Sequence, residues 1–193
     1  MSYLSPAAPT ADTPAMYERD RERVGYVPNY TKAFAGRPDV YAGWVALNTA
    51  IKANMPARTY ELATLAAAAR LRSSCCALAH GKILAEKHLS PQTVEDLMRN
   101  PAEADVSDID RAVMTLAGQV ALGAAAITDN DLEPLRVLGA TDADIFDVIL
   151  AASARCFFSS VLEASGVEPE AEYAQLEPVL RDALTVGRAF PAA

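Results

Sequence analysis

The chain has 193 residues and carries 17 Lys and Arg against 25 Asp and Glu, which gives a net charge of −8. This length is enough to bury a core without disulfides, and the acidic balance argues against nucleic-acid and anionic-membrane partners, because both bind basic faces. Three cysteines, two of them adjacent, and an N-terminus without a basic or apolar leader favour a reducing cytoplasm. The apolar windows are interrupted before about 18 residues, so we expect no membrane span.

Helix-start residues recur along the sequence, whereas alternating β-branched runs and Asn-Gly or Asp-Gly turns are absent, and the pattern therefore predicts an all-α fold. We expect a single domain over 1–193, with an N-terminal arm over 1–13, a core over 24–165 and a C-terminal extension over 166–193. In chain order, the predicted helices lie over 13–24, within 25–38, and over 38–53, 57–71, 73–88, 89–100, 107–122, 128–138 and 141–165. One more helix is predicted after 166, as a candidate for packing on a neighbouring subunit.

The predicted N-caps are Thr13, Ser73 or Ser74, Ser90, Ser107 and Thr141. The break at the serines separates helix 57–71 from helix 73–88 by very few residues. Two helices joined so closely run antiparallel, so we expect a helix hairpin at the centre of the fold.

The second helix of this hairpin begins with "RSSCCALAH", which holds two of the three cysteines and one of the two histidines. Ser73, Cys76 and His80 stand at i, i+3 and i+7 and share one helix stripe, with Cys76 and His80 one turn apart. Cys76 falls in the first turn, where unpaired backbone N–H groups and the helix dipole favour an anion. The pattern predicts a reactive thiolate with His80 as its base.

Glu61 lies twelve residues before Ser73, about three turns down the first helix of the hairpin. In an antiparallel hairpin, residues about as far down the second helix lie at the same level, and His80 is close to that depth. We therefore expect Glu61 to hydrogen-bond His80 and to fix its tautomer.

The four residues Glu61, Ser73, Cys76 and His80 resemble the signature of the alkylhydroperoxidase D / carboxymuconolactone decarboxylase superfamily. That signature is a Glu, then twelve residues later Cys-x-x-Cys, and then a His after three intervening residues. Ser73 occupies the position of the first cysteine. The upstream "GYVPNYTKAFAGRPDVYAGW" resembles the entry region of the peroxidase-related branch, so the resemblance covers about residues 24–165.

The resemblance implies a homo-oligomeric oxidoreductase in which Cys76 attacks a hydroperoxide, His80 serves as its base, and Glu61 orients His80 or shuttles a proton. In the family the first cysteine resolves the sulfenic acid as a disulfide, which Ser73 cannot do. An external thiol reductant, or a cysteine of another subunit, is then expected to complete the cycle.

The other two cysteines are weaker candidates for resolving the oxidised thiol. A Cys75–Cys76 bridge would be strained, because adjacent Cα atoms lie ~3.8 Å apart whereas a disulfide usually spans ~4.4 to 6.8 Å. Cys156 is interpreted as a small buried hydrophobe of the helix over 141–165.

Two other functions remain open at the level of the sequence. One is decarboxylase-like acid–base chemistry on a small lactone or carboxylate, with His80 as proton carrier and Arg58 and Arg72 as the nearest cations. The other is a non-catalytic relic that keeps Cys76 and His80 as core residues. A metal site is not expected, because the chain lacks four well-spaced ligands, and no glycine-rich phosphate loop predicts a nucleotide cofactor.

Several further residues have structural interpretations. His88 fits the C-terminal end of its helix, and Arg155, inside an apolar run, indicates a buried ion pair or a subunit contact. The aromatic residues upstream of the hairpin are expected in the core or an interface, where they could wall a pocket at Cys76. They are Tyr26, Tyr30, Tyr41 and Trp44.

Overall fold

A computed structural model describes residues 3–5 and 7–190 of the chain. Within these ranges the protein has ten α-helices, two short 3-10 helices over Ala124–Ala126 and Ala171–Gln175, and no β-strand, which confirms the all-α prediction. The helices are α1 (Thr13–Val24), α2 (Asn29–Ala33), α3 (Pro38–Ala53), α4 (Ala57–Arg70), α5 (Ser74–Lys87), α6 (Pro91–Arg99), α7 (Asp108–Gly123), α8 (Asp129–Val137), α9 (Asp142–Ser165) and α10 (Pro178–Leu184).

The helix starts show why these boundaries fall close to the predicted ones. The side chains of Ser90, Ser107 and Thr141 accept hydrogen bonds from backbone N–H groups three residues later, at 3.0 to 3.3 Å. At Thr141 the bond is reciprocal, because Asp144 accepts from the Thr141 backbone at 2.8 Å. Each cap satisfies backbone donors that the first helical turn leaves unpaired.

The prediction that Thr13 caps α1 is wrong, because Asp12 occupies the N-cap position and Thr13 is already helical. The Thr13 hydroxyl instead donates to the backbone carbonyl of Ala35 at 2.7 Å, in a buried contact. This bond ties α1 to the segment before α3, a long-range role that a local capping rule does not consider. The predicted arm over 1–13 is non-helical at 3–5 and 7–12, its last residue already belongs to α1, and residues 1, 2 and 6 lie outside the described residues.

The core is built around α4, which packs against α5, α7 and α9. Nine of its residues, from Tyr60 to Ala68, are buried, so this helix is enclosed on nearly all sides. Its alanines are small enough to let the three neighbouring helices approach closely. The helix that carries Glu61 therefore lies at the centre of the molecule.

The α4 and α5 helices form the predicted hairpin, joined through the three residues 71–73. Arg72 makes the turn with a φ of 55°, a left-handed conformation that is uncommon for a non-glycine residue. The backbone N–H of Ser73 reaches back to the carbonyl of Ala68 at 2.9 Å and closes the turn. This short connection fixes how far each residue of α5 lies from each residue of α4.

The C-terminal helix α10 packs on α5 and α6 of the same chain, and a contact of this helix with a neighbouring subunit stays a prediction. Leu180 and Leu184 are buried within the protein. Gly81 on α5 makes this packing possible, because a Cβ atom there would lie 2.3 Å from Leu184 Cδ2.

By length and composition, α9 could cross a membrane, contrary to the expectation from its interrupted apolar windows. Half of its apolar window is buried inside the molecule, and the helix packs against α3, α4 and α7. Core helices of globular proteins have the same composition, so we interpret α9 as part of the core.

Candidate active site

A cavity of about 590 Å³ lies beside the hairpin, bordered by α3, α5, α9 and the segment 167–173. We call it the Cys76 cavity. This volume is within the range of small-molecule sites, roughly 300 to 1,000 Å³. The lining residues that matter for chemistry are Trp44, Lys52, Tyr60, Cys76, His80 and Arg155.

Cys76 is buried at the wall of this cavity, in the first turn of α5. Its Sγ accepts a hydrogen bond from Arg155 Nη1 at 3.5 Å. In the part of the chain that the structure describes, no hydrogen bond joins Cys76 to His80, although both residues line the cavity and lie one turn apart. The predicted base is thus near the thiol, and the direct contact of the sulfur is with a cation.

Glu61 and His80 form the buried pair that the hairpin geometry predicts, with His80 Nδ1 2.5 Å from Glu61 Oε2. The other carboxylate oxygen, Oε1, lies 3.7 Å from Lys52 Nζ. Burial alone raises the pKa of Glu61, but the charge and hydrogen bond of His80 and the charge of Lys52 outweigh it, so the pKa is lowered. Glu61 is therefore a carboxylate at neutral pH.

Burial lowers the pKa of His80, and the nearby charge of Arg155 lowers it further against the opposing effect of Glu61. A neutral imidazole beside a carboxylate donates its Nδ1–H to that carboxylate and leaves Nε2 as a proton acceptor. His80 thus has the protonation state and the tautomer of a general base.

Arg155, on α9, is the site residue whose role the sequence did not predict. It is 4 % exposed, its Nη2 donates to Tyr60 Oη at 3.3 Å, and its guanidinium lies 5.5 Å from the Trp44 ring and 5.6 Å from the Phe158 ring. Burial lowers its pKa, but Cys76 and Tyr60 outweigh that effect and the pKa is raised. The available signal was one arginine within the apolar run "VILAASARCFF".

Ser73 occupies the N-cap position of α5, yet its side chain makes no capping hydrogen bond. The residue is fully buried, and it is not among the residues that line the Cys76 cavity. Its hydroxyl lies beside Glu163, whose pKa is raised by burial and lowered in part by Ser73. Ser73 is therefore near Cys76 along the chain but does not line the cavity that Cys76 and His80 line.

All three cysteines are free thiols. Cys75 lines the cavity and donates to the backbone carbonyl of Val167 at 3.3 Å, and burial raises the pKa of its thiol. Cys156 is partly buried, lies outside the cavity lining, and has a pKa that is likewise raised by burial. Neither thiol is therefore favoured as a thiolate.

Arg58 and Arg72, the cations that the decarboxylase-like alternative relied on, do not line the cavity. Arg58 pairs with Asp110 at 2.7 Å and donates to the carbonyl of His88, the C-cap residue of α5, at 2.9 Å. Arg72 Nε donates to the carbonyl of Val186. Both arginines hold elements of the fold together, and the cavity takes its cations from other helices.

Aromatic side chains form one wall of the cavity, as the sequence indicated for Tyr30, Tyr41 and Trp44. Trp44 stacks on Phe158 of α9 with ring centroids 4.5 Å apart. Tyr26 does not belong to the lining. Throughout residues 3–5 and 7–190, no group of three or more His, Cys, Asp or Glu side chains is arranged to hold a metal ion.

Fold and site together define an all-α protein with a cysteine and a buried Glu–His pair at one cavity. Residues 38–118 match the family model described as the carboxymuconolactone decarboxylase family. None of the curated proteins matches the chain with significant similarity. The solved structures do provide matches over nearly the whole chain.

One similar structure is described as an alkylhydroperoxidase AhpD core, an uncharacterized peroxidase-related protein from Ralstonia eutropha. It is 23% identical to this chain with a TM-score of 0.79, and the match covers 89% of this chain and 94% of that protein. An uncharacterized peroxidase-related protein from Silicibacter sp. is 24% identical with a TM-score of 0.76, covering 90% and 98%. The debrominase Bmp8 in complex with 2,3,4-tribromopyrrole is 14% identical with a TM-score of 0.73, covering 95% and 98%. Residues 38–118 are thus similar to the carboxymuconolactone decarboxylase family, and the chain shares its fold with these peroxidase-related proteins and with the debrominase.

Proposed function

We propose that the protein is a thiol-dependent, peroxidase-related oxidoreductase in which Cys76 reduces a hydroperoxide. The observation that carries this proposal is the position of Cys76 in the first turn of α5, at a cavity that His80 also lines, with His80 held by Glu61. The peroxidase-related neighbours share the fold and so are compatible with this chemistry. We also propose that the protein acts in the cytoplasm, as a homo-oligomer.

The proposed reaction begins with transfer of the Cys76 thiol proton to Nε2 of His80, through the bound peroxide or one water molecule. The thiolate then attacks the terminal oxygen of the hydroperoxide, so that an S–O bond forms as the O–O bond breaks. The released alkoxide takes the proton from His80 and leaves as an alcohol. Sulfur loses two electrons and becomes a sulfenic acid, and the peroxide gains them.

Recycling of Cys76 is proposed to use an external thiol. The thiol attacks the sulfenic acid and releases water, leaving a mixed disulfide on Cys76, and a second thiol displaces this group and restores the free cysteine. Two observations support this route. Ser73 has no thiol and does not line the cavity, and burial keeps the neighbouring Cys75 protonated.

Acid–base chemistry on a small lactone or carboxylate is the second candidate function. The observation that favours it is that Lys52 and Arg155 line the cavity, where either could contact a carboxylate. This function requires His80 and Glu61 but not the sulfur of Cys76. Cys76→Ser therefore separates the two candidates.

Peroxide consumption tests the proposal. The protein is incubated with tert-butyl hydroperoxide and excess dithiothreitol, and the remaining peroxide is measured over time. We expect catalysed consumption by the native protein and by Cys156→Ser, whose thiol lies outside the cavity, and none by Cys76→Ser. Equal consumption by Cys76→Ser and the native protein would reject Cys76 as the reactive group.

A further inference from the structure

Arg155 is a buried cation that has no carboxylate within ion-pair distance in the described part of the chain. Two of its terminal nitrogens donate to Cys76 Sγ and Tyr60 Oη, and its Nε makes no hydrogen bond. Removing a guanidinium from water is costly unless a negative charge accompanies it. Its surroundings therefore favour an anion in contact with Arg155.

Three neighbouring groups could carry that negative charge. Glu61 is already bonded to His80 and paired with Lys52. Burial raises the pKa of Tyr60, whose hydroxyl donates to Asn48 Oδ1 at 2.5 Å, so the phenol stays neutral. Of these three groups, the sulfur of Cys76 is the one that both contacts the guanidinium and can become an anion.

We infer that Arg155 is a catalytic residue whose guanidinium, in contact with Cys76 Sγ, stabilises the attacking thiolate and then the oxyanion released from the peroxide. This inference rests on the proposed function, because it assumes that Cys76 is the group that attacks. The electron pair of the broken O–O bond passes to the leaving oxygen, which becomes an alkoxide until His80 protonates it. A fixed positive charge at this point stabilises both the reactant thiolate and the departing alkoxide.

The surroundings of Arg155 hold its charge in place. The rings of Trp44 and Phe158 lie 5.5 and 5.6 Å from the guanidinium, within the range of cation–π contacts. The residue belongs to α9, the longest helix and part of the core. The charge is thus oriented before substrate binds, which is the arrangement expected of an electrostatic catalytic group.

Alkylation of Cys76 without any peroxide tests this inference independently of the proposed reaction. The rate of Cys76 modification by iodoacetamide is measured by peptide mass spectrometry for the native protein, Arg155→Met, Arg155→Gln and Arg155→Lys. Loss of the charge in Arg155→Met and Arg155→Gln should slow alkylation at least about tenfold. Arg155→Lys should retain part of the native rate. Arg58→Met, an arginine outside the cavity, should react at the native rate.

A second readout separates charge from packing. Iodoacetate is an anion of nearly the same size as iodoacetamide, so the ratio of the two rates reports positive charge at the sulfur. We expect the rate with iodoacetate, divided by the rate with iodoacetamide, to fall in Arg155→Gln and to recover in Arg155→Lys. Circular dichroism and thermal unfolding identify any variant that fails to fold, and the Gln variant decides the question if the Met variant does not fold.

The role of Arg155 and the peroxidase function of Cys76 can be tested separately. If Arg155→Gln is alkylated as fast as the native protein while tert-butyl hydroperoxide still oxidises Cys76, the role of Arg155 is wrong and the proposed function stands. If alkylation depends on Arg155 but the native protein does not react with the peroxide, the electrostatic role stands and the proposed function is wrong.

Discussion

His80 Nδ1 lies 2.5 Å from Glu61 Oε2, and both side chains are buried where α4 and α5 pack together. A buried carboxylate that accepts Nδ1–H fixes the imidazole in one tautomer and leaves Nε2 to take a proton. Burial lowers the pKa of His80 and keeps the imidazole neutral, although the charge and hydrogen bond of Glu61 act in the opposite direction. Three testable predictions concern this pair and the neighbouring Ser73, and a fourth concerns the packing of α5.

Replacing Glu61 by Gln should slow oxidation of Cys76 by tert-butyl hydroperoxide by about ten- to a hundredfold. The amide keeps the size of the side chain but removes the charge that orients the imidazole and favours its proton uptake. The rate is measured by trapping the sulfenic acid with dimedone at timed intervals. Glu61→Asp, which keeps the charge, serves as the matched control and should lose less activity. An unchanged oxidation rate in Glu61→Gln would show that the Glu61–His80 pair takes no part in the reaction.

Acidification below about pH 6.5 should lower the free energy of unfolding. His80 has a lowered pKa in the folded state, so the unfolded chain binds more protons and stability is lost as pH falls from the unfolded pKa toward the folded one. The lowered pKa of Glu61 acts in the same direction at lower pH. One such proton contributes a slope of up to about 1.4 kcal/mol per pH unit.

Urea denaturation at several pH values between 5 and 7.5 measures this effect. His80→Asn should be less stable at neutral pH and should show a shallower loss of stability over this range, because the group that gains a proton on unfolding is gone. Parallel slopes for the native protein and the variant would mean that His80 is not held neutral in the fold.

Ser73→Cys should restore the Cys-x-x-Cys arrangement and change the product of peroxide treatment. Residues three apart at a helix start are neighbours, so a thiol at position 73 can condense with the Cys76 sulfenic acid. The intact mass should then show loss of two hydrogens in place of gain of one oxygen, and Ser74→Cys serves as the mismatched control. A sulfenic acid that persists in Ser73→Cys would indicate that the buried position beside Glu163 prevents the approach.

Gly81→Ala should destabilise the protein by about 1 to 3 kcal/mol despite the better helix propensity of alanine. The added Cβ would lie 2.3 Å from Leu184 Cδ2, and Leu184 is fully buried and cannot easily move aside. In a Leu184→Ala background the same substitution should cost much less, and this coupling is measured by a double-mutant cycle in urea. Additive effects of the two substitutions would contradict close packing of α10 on α5.

The sequence predicts the parts of this structure that depend on short spacings. Helix starts at Ser90, Ser107 and Thr141 follow from residues three apart. The contact between Glu61 and His80 follows from one short turn, because it fixes the relative depth of residues on two antiparallel helices.

Other features depend on packing between distant segments and were missed for that reason. Arg155 meets Cys76 only because α9 packs against the hairpin, 79 residues further along the chain. Thr13 bonds to Ala35, which lies 22 residues further along the chain, in the segment before α3. Arg58 looked available for a substrate because Asp110, its partner, lies on α7. Helical periodicity and capping rules concern residues a few positions apart, so they do not predict these contacts.

The central claim is that Cys76 reacts with a hydroperoxide, and a single-turnover mass measurement tests it most directly. The reduced protein is mixed with one equivalent of tert-butyl hydroperoxide, quenched within seconds, and its intact mass is compared with that of Cys76→Ser. We predict a gain of one oxygen, located on Cys76 by peptide mapping and absent from the variant. An unchanged mass in a folded native protein whose Cys76 is free would contradict the account.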